Sequence, residues 1–569
     1  MLCWVSHAAS LVARFSLAGL VLGTALLLAV ALYRLLFHPL SRVPGPRLAA
    51  VTNGWLAYNV RNGHMLRLGK MLHTKYGPAV RVGPNEVWFN TKDAFRLIYS
   101  PTNGYEKSSF YLATELLKPK LDARLGIQSP DTLDLLAERD MKRYRLQRRL
   151  IGPIYHTNNV RRYEAAADAV LLRVVDQLRA LGGAEVDLKE WMHIVTVECL
   201  GAVSLSWSPG YLAERSDGAS GRHAYMGWRR KSVFGLFPLA VIIEPLSRHF
   251  GRAFSVLWGV TYHTPKEGFK PFFPVGELVL LMDFFLCVDG LALLTPQDKA
   301  VQKKINSRVR AVLRGKSRGG GDNRKDITAD LIQLHQDRPD EFKQQYLRRM
   351  AITNFGAGHE TMTSTLISTF AMLGSHPEAQ QRVAHEVVDA LPEVRSGRGH
   401  LAYDDAMRLR LTQASIREAQ RLHPVIGMAL PRTVPRGGMA VDGLAIPPGT
   451  AVGCNPVSLH RSRDVFGDDA DVFRPERWLG GGDTGDDDRV RAMERYNLIW
   501  GGGARTCPGR HLAEMLVSKI VPALLANFEV EVTMPPEEEI PYYFMAMLTG
   551  VKARFLPREV PTEEHEVVE

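Results

Sequence analysis

The chain has 569 residues, 46% hydrophobic and 23% charged, the balance of a globular protein with a large core rather than a disordered or fibrous one. A formal net charge of +11 suits an acidic protein partner or an anionic membrane, and with no Lys/Arg block interleaved with aromatics nucleic acid is not expected. Five cysteines, at positions 3, 199, 287, 454 and 507, are odd in number and scattered, which argues against a disulfide framework and for a reducing compartment around the main body.

Phe15 to Tyr33 (FSLAGLVLGTALLLAVALY) carries no charge and is long enough to cross a hydrocarbon core of ~30 Å as a helix. A cleaved leader has a shorter apolar region, ~7–15 residues. Arg34, Arg42 and Arg47 follow the run and only Arg14 precedes it, which places the rest of the chain on the cytosolic side. Pro39, Pro44 and Pro46 then end the helix and predict a stiff hinge. The boundaries expected are a short lumenal segment at 1–14, an anchor at 15–33, a hinge at 34–47, one body at 48–556 and an acidic, disordered tail at 557–569.

Past the hinge, Pro78 to Asn90 alternates as strands do around a Gly-Pro turn, so a small sheet is expected there. Tyr105 to Leu136 is irregular. Glu138 to Tyr155 is densely basic, either a solvated helix face or a binding helix. Val233 to Leu286 is rich in Phe and Leu: core, or a lid that dips into a membrane and carries an insertion. Arg314 to Lys325 and Gly480 to Asp488 read as flexible loops, and Leu430 to Asn455 as short strands joined by Gly and Pro turns.

Lys343 to Gly374 is a long helical pattern with a soft centre, where Gly356 and Gly358 each cost ~1 kcal/mol against Ala. Tolerating both suggests a close approach or a functional opening. At Glu360-Thr361 the threonine can bond back to a carbonyl while the glutamate faces water. His359 points about 100° from its neighbours and is assigned a structural place. Glu418 and Arg421, three apart, share one helix face.

Trp500 to Glu514 reads WGGGARTCPGRHLAE, four glycines around Cys507. Gly501 to Gly503 allow sharp turns and a close approach. Pro508 suits a first helical turn, which would put Cys507 at a helix N-terminus beside Arg505 and Arg510, a setting that favours thiolate. Such a thiolate is a nucleophile or a metal ligand. No G-K-[ST] follows, so a phosphate loop is not expected, and no local cysteine-protease signature is present.

The run W-G-x-G-x-R-x-C-x-G from Trp500 resembles the haem-binding loop of the cytochrome P450 family, with Trp500 where that family usually has Phe. AGHET at 357–361, E-x-x-R at Glu418–Arg421 and FRPERW at Phe473–Trp478 resemble further motifs of the family, in its order and across nearly the whole chain. The resemblance implies a mainly α fold with a small β-rich region behind one N-terminal transmembrane helix. It implies haem b with Cys507 as axial ligand of the iron. Arg505, Arg148 and Arg432 would hold the propionates, with Tyr144 one turn before Arg148, where the family often has His or Trp. His460 would stand near the haem. Glu360 and Thr361 would relay protons to dioxygen from an opened helix turn that holds water. Glu418, Arg421 and Arg477 would close a buried network that fixes the segment carrying the cysteine. Val425–Ala429 and Phe544–Met547 would line an apolar pocket, and 105–136 would cover the substrate.

The activity implied is monooxygenation of a hydrophobic small molecule, with electrons from NADPH-cytochrome P450 reductase docked on a basic face. The setting implied is the endoplasmic reticulum membrane, with a single span and the catalytic domain in the cytosol. The resemblance is to fungal members of secondary metabolism, which act on terpenoid, polyketide or alkaloid intermediates. The alternatives are an isomerase or dehydratase that needs no reductase, a monooxygenase that detoxifies xenobiotics, and a haem sensor without turnover.

Overall fold

One apolar helix opens the chain in the computed structural model, which describes residues 2–115, 119–122, 126–260, 296–313, 324–390, 401–480 and 484–558. This helix, α1 (Leu2–Leu32), starts earlier than the uncharged run that announced it. Within it and the π-type turn that follows, Ser16–Phe37 has a mean hydropathy of 2.2 and none of it is buried against protein. By length and composition it can cross a membrane. The proline hinge is bonded down, not loose. Arg34 donates from Nη1 to the Val51 carbonyl at 2.5 Å, and Arg81 donates from Nη1 to the Arg34 carbonyl at 2.8 Å. Gly45 lies so close to Arg81 that an added Cβ would stand 2.3 Å from its carbonyl oxygen.

The expected small sheet forms. β1 (Ala79–Gly83) and β2 (Glu86–Phe89) pair antiparallel around the Gly-Pro turn. β3 (Glu106–Lys107), β4 (Arg432–Thr433) and β5 (Ala451–Cys454) complete a five-stranded sheet in the order β1-β2-β5-β4-β3. The β3–β4 register sets Lys107 opposite Arg432. A second sheet joins β6 (Phe528–Thr533), β7 (Lys552–Pro557) and a two-residue strand, Val186–Asp187. The Leu430–Asn455 stretch carries, besides β4 and β5, the hairpin Met439–Val441 with Leu444–Ile446.

Helices make up most of the body. Those used below are α2 (Lys92–Tyr99), α3 (Met141–Ile151), α4 (Glu164–Arg179), α5 (Leu188–Leu205), α6 (Ser220–Gly235), α7 (Gln344–Gly374), α8 (Arg410–Leu422) and α9 (Arg510–Asn527). α7 runs through the middle, packed on α5, α8 and α9, with α4 against α5 and α9. Every residue from Met362 to Leu373 is buried. Its threonines remain tolerable there because they bond back: Thr363 Oγ1 to the His359 carbonyl at 2.6 Å and Thr369 Oγ1 to the Thr365 carbonyl at 2.8 Å. Each fully buried Leu or Phe of this core contributes roughly 1.5–3 kcal/mol.

Two expectations need adjustment. Gly480 to Asp488 is not a loop throughout, because a helix, Thr484–Arg495, begins inside it. The acidic run that suggested a loop falls at the helix N-terminus, where carboxylates complement the dipole, and Asp488 pairs with Arg491 at 2.7 Å. Val233 to Leu286 is partly core and partly exposed apolar surface. Val233 and Phe234 are buried, whereas Leu239, Leu246, Val256 and Leu257 are exposed, and 261–286 lies outside the described residues. So do 314–323 of the predicted basic loop and 559–569 of the predicted tail.

Candidate functional site

The cysteine loop is locked onto α2. Gly501 and Gly503 take positive φ, +76° and +63°, and an added Cβ at Gly503 would stand 1.9 Å from the Tyr99 carbonyl oxygen. Only glycine fits there. The Cys507 N–H donates to the Trp500 carbonyl at 2.8 Å, and Thr506 Oγ1 to the Gly503 carbonyl at 2.7 Å. α9 starts at Arg510 with Gly509 as its cap, so Pro508 and Gly509 form a turn and Cys507 stands just ahead of the helix rather than in it. Burial pushes the half-buried thiol above its ordinary pKa, against a backbone N–H from Gly509 and the charges of Arg148 and Arg510. Arg505, expected to favour the thiolate, turns elsewhere. It donates to the carbonyls of Glu138 and Arg139 at 2.5 and 2.8 Å, with its guanidinium 4.4 Å from the Tyr144 ring. The side chains beside Cys507 alone do not make it a thiolate; a metal ion would.

Around the loop lies a buried cluster of cations. Arg505 is pushed down to about 10, by burial first and then by Arg432. Lys107 is held well below the usual lysine range by burial, Arg505 and Arg432. Its Nζ donates to the Leu135 and Leu136 carbonyls and lies 4.7 Å from the Tyr111 ring. Arg432 Nη1 reaches the Leu430 and Pro431 carbonyls at 3.3 and 3.2 Å and the Tyr111 hydroxyl at 3.5 Å. Arg148 Nη2 reaches the Cys507 carbonyl at 3.5 Å. Arg148 Nη1 and Arg505 Nε are buried with no hydrogen-bond partner among the described residues. Tyr144, 2% exposed, feels the charges of Arg148, Arg505, Arg432 and Cys507 together. Four cations, two of them with an orphaned donor, around the loop of one cysteine fit a dianionic, metal-centred group such as haem with its two propionates.

On α7, Glu360 is buried, not facing water, and its Oε2 accepts a hydrogen bond from Trp228 Nε1 of α6 at 2.5 Å. Half-buried Thr361 bonds back to the Ala357 carbonyl at 2.8 Å. The helix runs unbroken through this turn, in place of the expected opening. Of its two glycines only Gly358 has a packing reason. An added Cβ at Gly358 would stand 3.0 Å from Leu200 of α5, a close approach, whereas at Gly356 it would meet nothing within 4 Å. His359 is buried and packs toward α5, its Nδ1 3.3 Å from His193 Nε2.

The scaffold residues converge. Glu418 takes Arg421 Nε and Nη2 at 2.8 Å each, Arg477 Nε at 2.8 Å and Trp478 Nε1 at 2.8 Å. Burial pushes the Glu418 carboxyl up, but Arg421 and Arg477 outweigh it and hold it below its ordinary value. Arg421 Nη1 and Arg477 Nη1 also satisfy the His460, Ala470 and Phe466 carbonyls. His460 is part of this scaffold. Its Nε2 accepts from the Leu498 N–H at 2.9 Å, just ahead of the cysteine loop, and burial and Arg421 bring it down to about 3, so it stays neutral.

The two predicted lining segments meet, since the Gly427 N–H donates to the Phe544 carbonyl and the Ala546 N–H to the Val425 carbonyl. Phe544 stacks on Trp228 at 5.7 Å and packs on Phe110 at 5.1 Å, an apolar wall. Sequence reasoning missed Lys107, Tyr111 and Trp228.

A family profile described as Cytochrome P450 matches residues 292–555. Over 550 residues, 93% of both chains, the sequence is 56% identical to cytochrome P450 monooxygenase sdnT of Sordaria araneosa. It is 27% identical to cytochrome P450 monooxygenase gsfF of Penicillium aethiopicum, over 95% of this chain and 98% of that one. It is 25% identical to pisatin demethylase of Fusarium vanettenii, over 88% and 87%.

Proposed function

The chain belongs to the cytochrome P450 family and is a monooxygenase of that family, and on that premise we propose that it is a membrane-anchored haem-thiolate enzyme that oxygenates a hydrophobic small molecule with electrons from an NADPH-dependent reductase. The reading rests above all on the cluster of cations around the cysteine loop, of which Lys107 and Arg432 are buried and Arg148 and Arg505 each leave one buried donor without a partner among the described residues. Haem b, when bound, supplies dioxygen activation and stores electrons. Everything else is the work of side chains. Cys507 would ligate the iron as a thiolate. Arg148, Arg432, Arg505 and Lys107 would neutralise the propionates, with the Tyr144 phenol as a further donor and Trp500 beside the ring. The wall of Phe544, Trp228 and Phe110 excludes water from the oxygen side. Glu360 would hold a proton on its carboxyl and pass it through the Thr361 hydroxyl, which first has to leave the Ala357 carbonyl. Lys142, Arg145 and Arg149, exposed on α3, would form part of the reductase docking face.

The anchor would be α1, in the endoplasmic reticulum with the body in the cytosol, as the arginines after the run favour. A tailoring oxidation in fungal secondary metabolism fits the named relatives and the apolar wall. The test is a carbon monoxide difference spectrum of reduced membranes that contain the full chain. The red-shifted Soret band of thiolate-ligated haem is expected, and Cys507→Ala should abolish it. A band in the position typical of histidine-ligated haem in the unmodified protein would sink the ligand assignment.

A further inference from the structure

Trp228 joins two parts of the site that otherwise lie on separate elements. It sits on α6, is buried, and donates from Nε1 to Glu360 Oε2 of α7 at 2.5 Å. Its ring belongs to the apolar wall, stacked on Phe544 with 28° between the planes. The two backbones are tied as well. Ser232, fully buried one turn further along α6, donates to the Trp228 carbonyl at 2.6 Å and accepts the Phe544 N–H at 3.0 Å. Phe110 packs on the end of the same helix, where an added Cβ at Gly235 would stand 2.6 Å from its ring. A push on Phe544 is therefore a push on the indole. Lys231 places Nζ 4.6 Å from the centre of that indole, a cation that favours its present seat.

The backbone beneath Glu360 cannot follow such a push. α7 is unbroken through this turn, and His359 is packed on α5, 3.3 Å from His193, whose own Nδ1 stands 2.8 Å from Asp217. Only the carboxyl side chain is left to move. An indole N–H is a donor and nothing else, so it can hold an oxygen of the acid but cannot take a proton from it. Thr361, the next residue, gives its hydroxyl hydrogen to the Ala357 carbonyl. Acid and alcohol are each committed to a partner within the protein.

We propose that Trp228 is a latch: its N–H parks the Glu360 carboxyl against the pocket wall, and a hydrophobic ligand that displaces Phe544 draws the indole away and frees the acid. Only a hydrogen bond is exchanged; no covalent bond breaks and no electron moves. Trp228 acts through Glu360 and is a positioning residue, and the inference rests on the monooxygenase reading above. A latch differs from a prop in sign. Removing a prop leaves the acid worse placed, whereas removing a latch leaves it freer.

The test uses the full-length, haem-loaded protein in phosphatidylcholine vesicles with reductase, NADPH and dioxygen, and no organic ligand added. The readout is the share of NADPH electrons recovered as hydrogen peroxide, which consumes fewer protons per dioxygen than water does. Trp228→Phe keeps a ring against Phe544 and removes the donor. It should lower that share about threefold, a small part of what a positioned acid is worth. Phe544→Leu keeps the N–H and removes the stack, and should lower the share by less. A rise in Trp228→Phe, or no change, would overturn the latch and leave the indole as a prop or as filling. No change in Phe544→Leu would overturn it too, because the acid would then be held without reference to the wall. A second readout needs neither turnover nor a variant at Trp228. In ultraviolet resonance Raman spectra, Glu360→Ala compared with the unmodified protein should move the N–H band of one indole from the bonded to the free position, and the absence of that shift would sink the proposal. Loss of the carbon monoxide band in the unmodified protein, with the indole shift present, would instead be a failure of the monooxygenase reading, so the two failures separate.

Discussion

Two clusters of buried cations hold the segment that carries Cys507, and they are finished in opposite ways. In the first, Arg421 and Arg477 share the Glu418 carboxylate, and their other nitrogens meet backbone carbonyls or Asp469. In the second, Lys107, Arg432 and Arg505 repel one another, the groups around them and Arg148 are mostly carbonyls and phenols, and two donor nitrogens have no hydrogen-bond partner among the described residues. The closed cluster is complete as protein and belongs to the fold. The open cluster would be completed by an added dianion, which is the role proposed for the haem propionates. Buried charge by itself therefore says little; what separates a strut from a receptor is whether the donors are answered from within the chain.

The largest effect should come from breaking the closed cluster. Glu418→Ala leaves two buried guanidiniums without their carboxylate and should cost ~3–5 kcal/mol in chemical denaturation, with the haem band lost as well. A loss under about 1 kcal/mol would mean water enters and answers the arginines. Next is the open cluster. Arg432→Leu should leave the haem-free protein about as stable as before but weaken haem retention by roughly 1.5–3 kcal/mol, tenfold or more in off-rate, read by transfer to apomyoglobin. Equal losses in both forms would show that Arg432 is a strut after all.

The pH dependence should have the same sign in both clusters, stability rising with pH, but fall in different windows, acidic for Glu418 and below the usual lysine range for Lys107. Glu418 has a depressed folded pKa, so its contribution is present above the unfolded carboxylate range and is lost as pH falls through the folded value. Lys107 has a folded pKa well below its unfolded one, so the unfolded chain binds the extra proton and haem-free stability should rise with pH across the window between the two. Lys107→Met should flatten that rise and, at neutral pH, stabilise the haem-free protein by about 1 kcal/mol. A rise that persists in Lys107→Met would assign it to another group.

How legible each cluster is follows from how it is built. Glu418 and Arg421 lie three apart on one helix, and the glycines, Pro508 and Cys507 sit within a single loop, so local spacing reveals them. Lys107 meets Arg432 only through strand register between distant segments, and Trp228 meets Glu360 only because α6 packs over α7. Neither contact leaves a periodic trace in the sequence. The softness read into Gly356 and Gly358 was also real as propensity, yet α7 stays unbroken because Gly358 is the close approach that lets Leu200 of α5 pack against it. Tertiary packing overrode the local preference.

The smallest effect isolates one phenol. Tyr144 stands under the Arg505 guanidinium and among the charges of the open cluster, and burial, countered by Arg148 and Arg505, leaves its hydroxyl above the usual phenol value. The hydroxyl is therefore a neutral donor at working pH, able to answer an anion but not to become one. Tyr144→Phe keeps the ring beneath Arg505 and removes only that donor. Haem-free stability should change by less than about 0.5 kcal/mol, while haem loss should quicken by a few-fold, the worth of one hydrogen bond at ~0.5–1.5 kcal/mol. Tyr144→Ala removes the ring too and should add a further ~0.5–1 kcal/mol of destabilisation that appears in both forms. If Phe and Ala prove alike, the ring does nothing for Arg505; if Phe matches the unmodified protein in haem retention, the phenol does not face the bound group, and the second cluster consists of cations alone.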